Sequence, residues 1–174
     1  MSPSENALTY LGQMEKPGNA GFLDPIFEAE MREEGWQTGW AWCSVFAKVV
    51  FKNCYPERAE SLDKLFSPST IQTFRNFRDA AYPVSNVPRV NHLAIWQNYK
   101  EGKPLTTGHA GIVVSVIDTW QFDSVEGNTT KGKGSREGFI VARNQRKVLA
   151  SVDNGLKILG FIQINGPITV TFNT

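Results

Sequence analysis

Apolar residues recur at helical spacing through the first half of the chain and alternate with polar ones through much of the second. In the segment 6–14, Leu8, Leu11 and Met14 fall three residues apart and stop at the breaker cluster KPGNAG, which predicts a first helix. Asp24 is placed to cap, and Pro25 to open, a second helix, PIFEAEMREE, that Gly35 ends. A third helix over 42–53 is apolar on most sides and therefore central to the core. Two shorter helices follow over 57–66 and 70–81, the second with Ile71, Phe74 and Phe77 along one face.

Beyond Pro83 and Pro88 the chain changes character. Segments 93–99, 109–117, 121–128, 140–143, 157–164 and 168–172 read as strands, with KEGKPLTTG as a turn and NTTKGKGSREG as a flexible loop. Helices first and strands afterwards is the segregated order of an α+β domain, in which the sheet is antiparallel, rather than βαβ alternation. With 174 residues, 41% of them hydrophobic, one domain over 1–174 with one substantial core is expected.

Charge and leader signals narrow the partners. The 18 Lys plus Arg and 17 Asp plus Glu leave a formal charge of +1, so no global field draws nucleic acid or an anionic membrane surface. The chain has no apolar span of membrane length, and MSPSENALTY lacks the basic and apolar regions of a signal peptide, so a soluble, leaderless chain is expected. Two cysteines do not make a disulfide framework; on one helix, Cys43 and Cys54 would lie roughly 16 Å apart, beyond disulfide reach. Free thiols are expected.

Cys43 falls at the first turn of the third helix, after the bend-permitting pair Thr38 and Gly39. Backbone N–H groups and the helix dipole favour a thiolate there. Among Trp40, Trp42, Val45 and Phe46, a buried core thiol is the more natural reading from position alone. A cysteine nucleophile needs a base, and the chain has two histidines. His109 opens the strand GHAGIVVSV between Gly108 and Gly111, whereas His92, in VNHLAIW, reads as a hydrogen-bonded strand-end residue. Glu126 and Asn128 in SVEGNTT are two residues apart, so an extended strand puts both on one side, and either could orient His109.

Together, WCSVF at 42–46, GHAGIVV at 108–114 and VEGN at 125–128 resemble the CHAP family of cysteine peptidoglycan hydrolases, within the NlpC/P60 and papain-like group. LGQMEKPGN at 11–19 is similar to the helix and loop before the cysteine in phage-type relatives, and LGFIQIN at 159–165 to a closing strand. The resemblance spans residues 8 to 165. It implies a papain-like fold, with N-terminal helices packed on a C-terminal antiparallel β-sheet. It also implies Cys43 as nucleophile, His109 as base, and Glu126 and Asn128 as polar support. The implied reaction is hydrolysis of an amide in bacterial peptidoglycan, at the N-acetylmuramoyl-L-alanine link or within stem or cross-bridge peptides. Gln37, Trp42 and Gly108 are candidate substrate-binding positions, Gln37 by analogy as a second oxyanion donor.

The sequence departs from the family in two places. Some members carry an aspartate-rich calcium loop before the cysteine; here Glu33 and Glu34 stand alone, so no metal and no cofactor are expected. The segment 56–81 exceeds the minimal domain and reads as a helical insertion able to wall the substrate groove. Trp96 and Trp120 fit either a sugar-lined groove or the core, and Lys131, Lys133 and Arg136 a solvated basic loop or a contact to stem-peptide carboxylates.

The expected partner is bacterial peptidoglycan, met by a monomer; an immunity protein or inhibitor would accompany a toxin role. Phage lysin, autolysin and interbacterial toxin all fit, reaching the wall after lysis, through a holin or by specialised secretion. The competing classes are a non-catalytic wall-binding module on the same scaffold and a papain-like amidohydrolase of another substrate.

Overall fold

Caps and breakers govern where the helices begin and end. In the computed structural model, which describes residues 1–130, 138–149 and 152–164, the Asp24 carboxylate accepts the backbone N–H groups of Ile26 and Phe27 at 2.8 and 3.3 Å. Pro25 then opens α2 (Pro25–Glu33). The first helix, α1 (Pro3–Thr9), starts and stops earlier than the apolar spacing over 6–14 predicts. Ser2 and Glu5 form a capping box that fixes its start. Gly12, at φ +88°, lies past its end, and Met14 forms an isolated bridge with Ile140. After α3 (Cys43–Cys54) come a single 3-10 turn (Pro56–Arg58), α4 (Ala59–Leu65) and α5 (Thr70–Asp79), where 57–66 and 70–81 were expected.

The strands are β1 (Val84–Ser85), β2 (Leu93–Lys100), β3 (Lys103–Val116), β4 (Gln121–Thr129), β5 (Ile140–Lys147) and β6 (Gly155–Ile162). They form one antiparallel sheet in the order β1-β6-β2-β3-β4-β5. The domain is thus α+β, with five α-helices and a six-stranded sheet among the described residues. The turn read as KEGKPLTTG contracts to Glu101 and Gly102, both at positive φ (52° and 70°), which lets β3 begin at Lys103. The strand expected at 168–172 and the basic residues Lys131, Lys133 and Arg136 lie outside the described residues.

The helices cover one face of the sheet. Phe46, Val49 and Val50 of α3 join Leu93, Ile95, Ala110, Ile112, Val125 and Val141 in the main core. Phe22, Phe27, Trp36 and Trp42 surround the start of α3, with Trp42 edge-on to Phe22 at 5.0 Å between ring centroids. Side chains alternate across a strand, so the intervening positions serve the other face. There Ala94, Trp96, Val113, Phe122 and Phe161 form a second, smaller cluster. Gly127 lets β4 approach α3: a Cβ at this position would stand 2.5 Å from the Trp42 ring. None of the described helices is long and apolar enough to cross a membrane.

The segment 56–81 is helical, and none of its residues is among the described lining of the cleft that Cys43 and His109 share. Its α5 packs on β2 and β3, with Thr70 and Ile71 directly behind Gly108. Glu34, one of the two carboxylates weighed for calcium, is engaged by Lys48 and Lys52 at 3.1 and 2.8 Å.

Candidate active site

Cys43 is the first residue of α3, and Cys54 the last; both are free thiols. Trp42 at the N-cap offers no capping side chain, and the first intrahelical bond runs from the Phe46 N–H to the Trp42 carbonyl at 2.9 Å. The N–H groups of Cys43, Ser44 and Val45 therefore have no acceptor within the helix and converge on its positive end. Cys43 is 4% exposed, yet it lines a cleft of about 940 Å³ together with His109 and Asn128. The cysteine is thus buried against the helix side and also reaches the cleft.

His109 stands on β3 opposite Trp96 of β2. Its Nε2–H donates to Glu126 Oε2 at 2.9 Å, which leaves Nδ1 as the nitrogen for the Cys43 thiol with which the ring interacts. Burial alone would lower the His109 pKa, but the Cys43 thiolate and the Glu126 carboxylate outweigh it and raise it to about 10. The imidazole is thereby favoured in its protonated form beside Cys43.

Glu126 is fully buried on β4. Its Oε1 accepts Ser124 Oγ–H at 2.6 Å and Arg146 Nε–H at 2.7 Å. Its Oε2 accepts His109, a second N–H from Arg146, and longer bonds from Thr129 and Asn144. Burial would raise this carboxyl's pKa; the Arg146 guanidinium and His109 more than reverse that and hold it near about 2. Gly111 supplies the room, since a Cβ there would lie 2.6 Å from Glu126 Cγ.

Asn128 does not share this place. The strand is irregular between Glu126 and Thr129, and Asn128 sits at φ +53°, a left-handed conformation that asparagine tolerates. The expectation that Glu126 and Asn128 lie on one extended face fails at this bulge. Glu126 orients the histidine, and Asn128 lines the cleft.

The other candidates separate. Gly108 lines the cleft, where any side chain would overlap the Trp96 carbonyl and Thr70. Trp42 is not a cleft residue; it is fully buried, and its indole N–H donates to Glu15 Oε2 at 2.8 Å. Gln37 is exposed and absent from the cleft lining. Trp96 is core, 5.8 Å from the His109 ring, whereas Trp120 is 61% exposed at the turn after β3 and away from the cleft. His92 is buried at the foot of β2 with Nδ1 unpartnered among the described residues.

Two contributors carried no sequence signal of their own. Arg146, at the end of β5, completes the buried network and lines the cleft. Asn19 also lines the cleft; its backbone carbonyl accepts the Gly39 N–H at 2.9 Å, and its side-chain amide faces Glu15, to which it donates when the amide O and N are interchanged. Through Glu15, the same loop is tied to Trp42 and so to the start of α3. No protein-family model, curated protein or solved structure matches this chain.

Proposed function

We propose that the chain is a CHAP-like cysteine hydrolase with a papain-like arrangement, cleaving an amide bond of bacterial peptidoglycan. The observation that carries this reading is the sequence of contacts from Cys43 to His109 to Glu126 at the wall of an open cleft. A module that only bound the wall would have no use for a buried carboxylate holding a histidine against a thiol.

In this mechanism the Cys43 thiolate attacks the amide carbonyl carbon, and the carbonyl π electrons move to oxygen. The backbone N–H groups at the uncapped start of α3 receive that oxyanion. The imidazolium of His109 gives its Nδ1 proton to the leaving amine as the C–N bond breaks. Neutral His109 then draws a proton from water, whose hydroxide oxygen displaces Cys43 from the acyl group and frees the acid product. Glu126 stays ionised throughout, fixing the ring and balancing its positive charge, because six hydrogen bonds hold it as a carboxylate.

The test is digestion of purified peptidoglycan with mass spectrometry of the products. The native chain releases fragments with new amino groups whose position identifies the amide, either the muramoyl-alanine link or one within the peptides. Cys43→Ala abolishes release while keeping the native circular dichroism spectrum. Undiminished release by that folded variant would refute the reading.

A further inference from the structure

The Arg146 guanidinium has more donors than Glu126 uses. Nε and Nη2 each give one N–H to the carboxylate, which leaves both Nη1 hydrogens and one on Nη2 without a partner among the described residues. Guanidinium cannot shed its charge to relieve this. The side chain is 20% exposed and lies in the cleft lining, and its plane is held by the Trp96 ring, 5.7 Å from the guanidinium carbon. Among the described residues, the cleft lining includes Arg146 and Lys100 besides His109, and no aspartate or glutamate. Asn98 and Asn154 add neutral polar groups on the Lys100 side.

We propose that this cleft contains a carboxylate-binding subsite beside the Cys43–His109 pair, in which the outward edge of Arg146 hydrogen-bonds a substrate carboxylate and Lys100 adds charge farther along. Arg146 then has two faces. Its inner edge fixes Glu126 and its outer edge selects an acidic peptide, of the kind with a free carboxylate close to the scissile amide. That this ligand is a substrate rests on the hydrolase reading; the subsite itself does not.

Alkylation of Cys43 in the full chain tests it without any cell-wall substrate. Iodoacetate and iodoacetamide react by the same step: the thiolate attacks the methylene carbon, the C–I bond breaks, and iodide leaves a thioether. They differ in a carboxylate against a neutral amide, so the ratio of their rates on one protein cancels the reactivity of the thiolate itself. Mass spectrometry of the Cys43 peptide separates it from Cys54.

Relative to a free cysteine peptide, the ratio is expected to favour iodoacetate by about tenfold in the native chain, and to fall by about tenfold in Arg146→Met. Arg146→Lys, with the charge but not the planar edge, falls between, and Lys100→Met lowers the ratio about two- to threefold. Should Arg146→Met fail to fold, protection of native Cys43 from iodoacetamide by acetate against acetamide gives the same answer. A native ratio equal to that of the free peptide, an unchanged ratio in folded Arg146→Met, or equal protection by acetate and acetamide overturns the subsite. Peptidoglycan release with an unchanged ratio defeats this inference alone; a shifted ratio without release defeats the hydrolase reading alone.

Discussion

Replacing Glu126 by Gln keeps the shape of the side chain and removes its charge, in a place where the charge is fully enclosed. The carboxyl sits near about 2 instead of 4.5 because its ionised form is favoured by Arg146 and His109. That displacement corresponds to about 3 kcal/mol at about 1.4 kcal/mol per tenfold. The amide also leaves Arg146, whose side chain is 20% exposed, as an uncompensated cation. Breaking such a buried pair from one side costs about 3–5 kcal/mol. Glu126→Gln should therefore lower the free energy of unfolding at pH 7 by about 3–5 kcal/mol. Removing the stranded cation as well, in Glu126→Gln/Arg146→Met, should return at least about 2 kcal/mol of that loss.

Urea unfolding followed by tryptophan fluorescence, run on both single variants and the double, measures the coupling. Two single effects that simply add, to within about 0.5 kcal/mol, would refute the account of Glu126 and Arg146 as one buried ion pair. The pH dependence gives a second check. A carboxyl lowered by folding contributes fully above its unfolded value of 4.5, and that contribution is lost as pH falls toward about 2. Native protein should lose stability across this window on acidification, and Glu126→Gln should lack that part of the slope.

His109 has its pKa raised, so its contribution is complete below the ordinary 6.5 and disappears as pH rises through about 10. NMR of the ring protons should find it titrating far above 6.5 in the native chain and moving back toward 6.5 in Cys43→Ala, where the thiolate is gone; titration near 6.5 in both would contradict the ion pair. Gly127→Ala would place a methyl 2.5 Å from the Trp42 ring and 2.8 Å from Phe46 Cβ, so its Tm should drop, reflecting about 1–3 kcal/mol of overpacking; an unchanged Tm would mean α3 can give way there.

The parts of the site that announce themselves in sequence are those whose local chemistry is self-contained. Cys43 is marked by a helix start, His109 by its two glycines, and Glu126 by its place near a strand end. Arg146 is invisible for a physical reason. The reading of β5 stops at Arg143 because RNQRK has no apolar alternation, yet the strand runs to Lys147, paired with Gln121. Ala142, Asn144 and Arg146 do alternate, but the face they supply is a polar one turned toward Glu126, which pairs with Ala142. Alternation of small and polar residues beside a buried carboxylate is the signal, and it has meaning only once the partner strand is known. Asn128 illustrates the converse: its spacing from Glu126 predicts a shared face, and one left-handed residue cancels the prediction.

The bare N-terminus of α3 constrains how this protein can change. By ordinary helix rules, a serine or aspartate in place of Trp42 would strengthen the helix by about 0.5–2 kcal/mol. Such a cap would fill the N–H groups that the proposed mechanism leaves open beside Cys43, and would remove an indole that closes the aromatic cluster and satisfies Glu15. At position 42, then, losing the fully buried indole, about 3–5 kcal/mol for a core Trp, outweighs the gain from a cap, so packing and an open helix start favour the same residue.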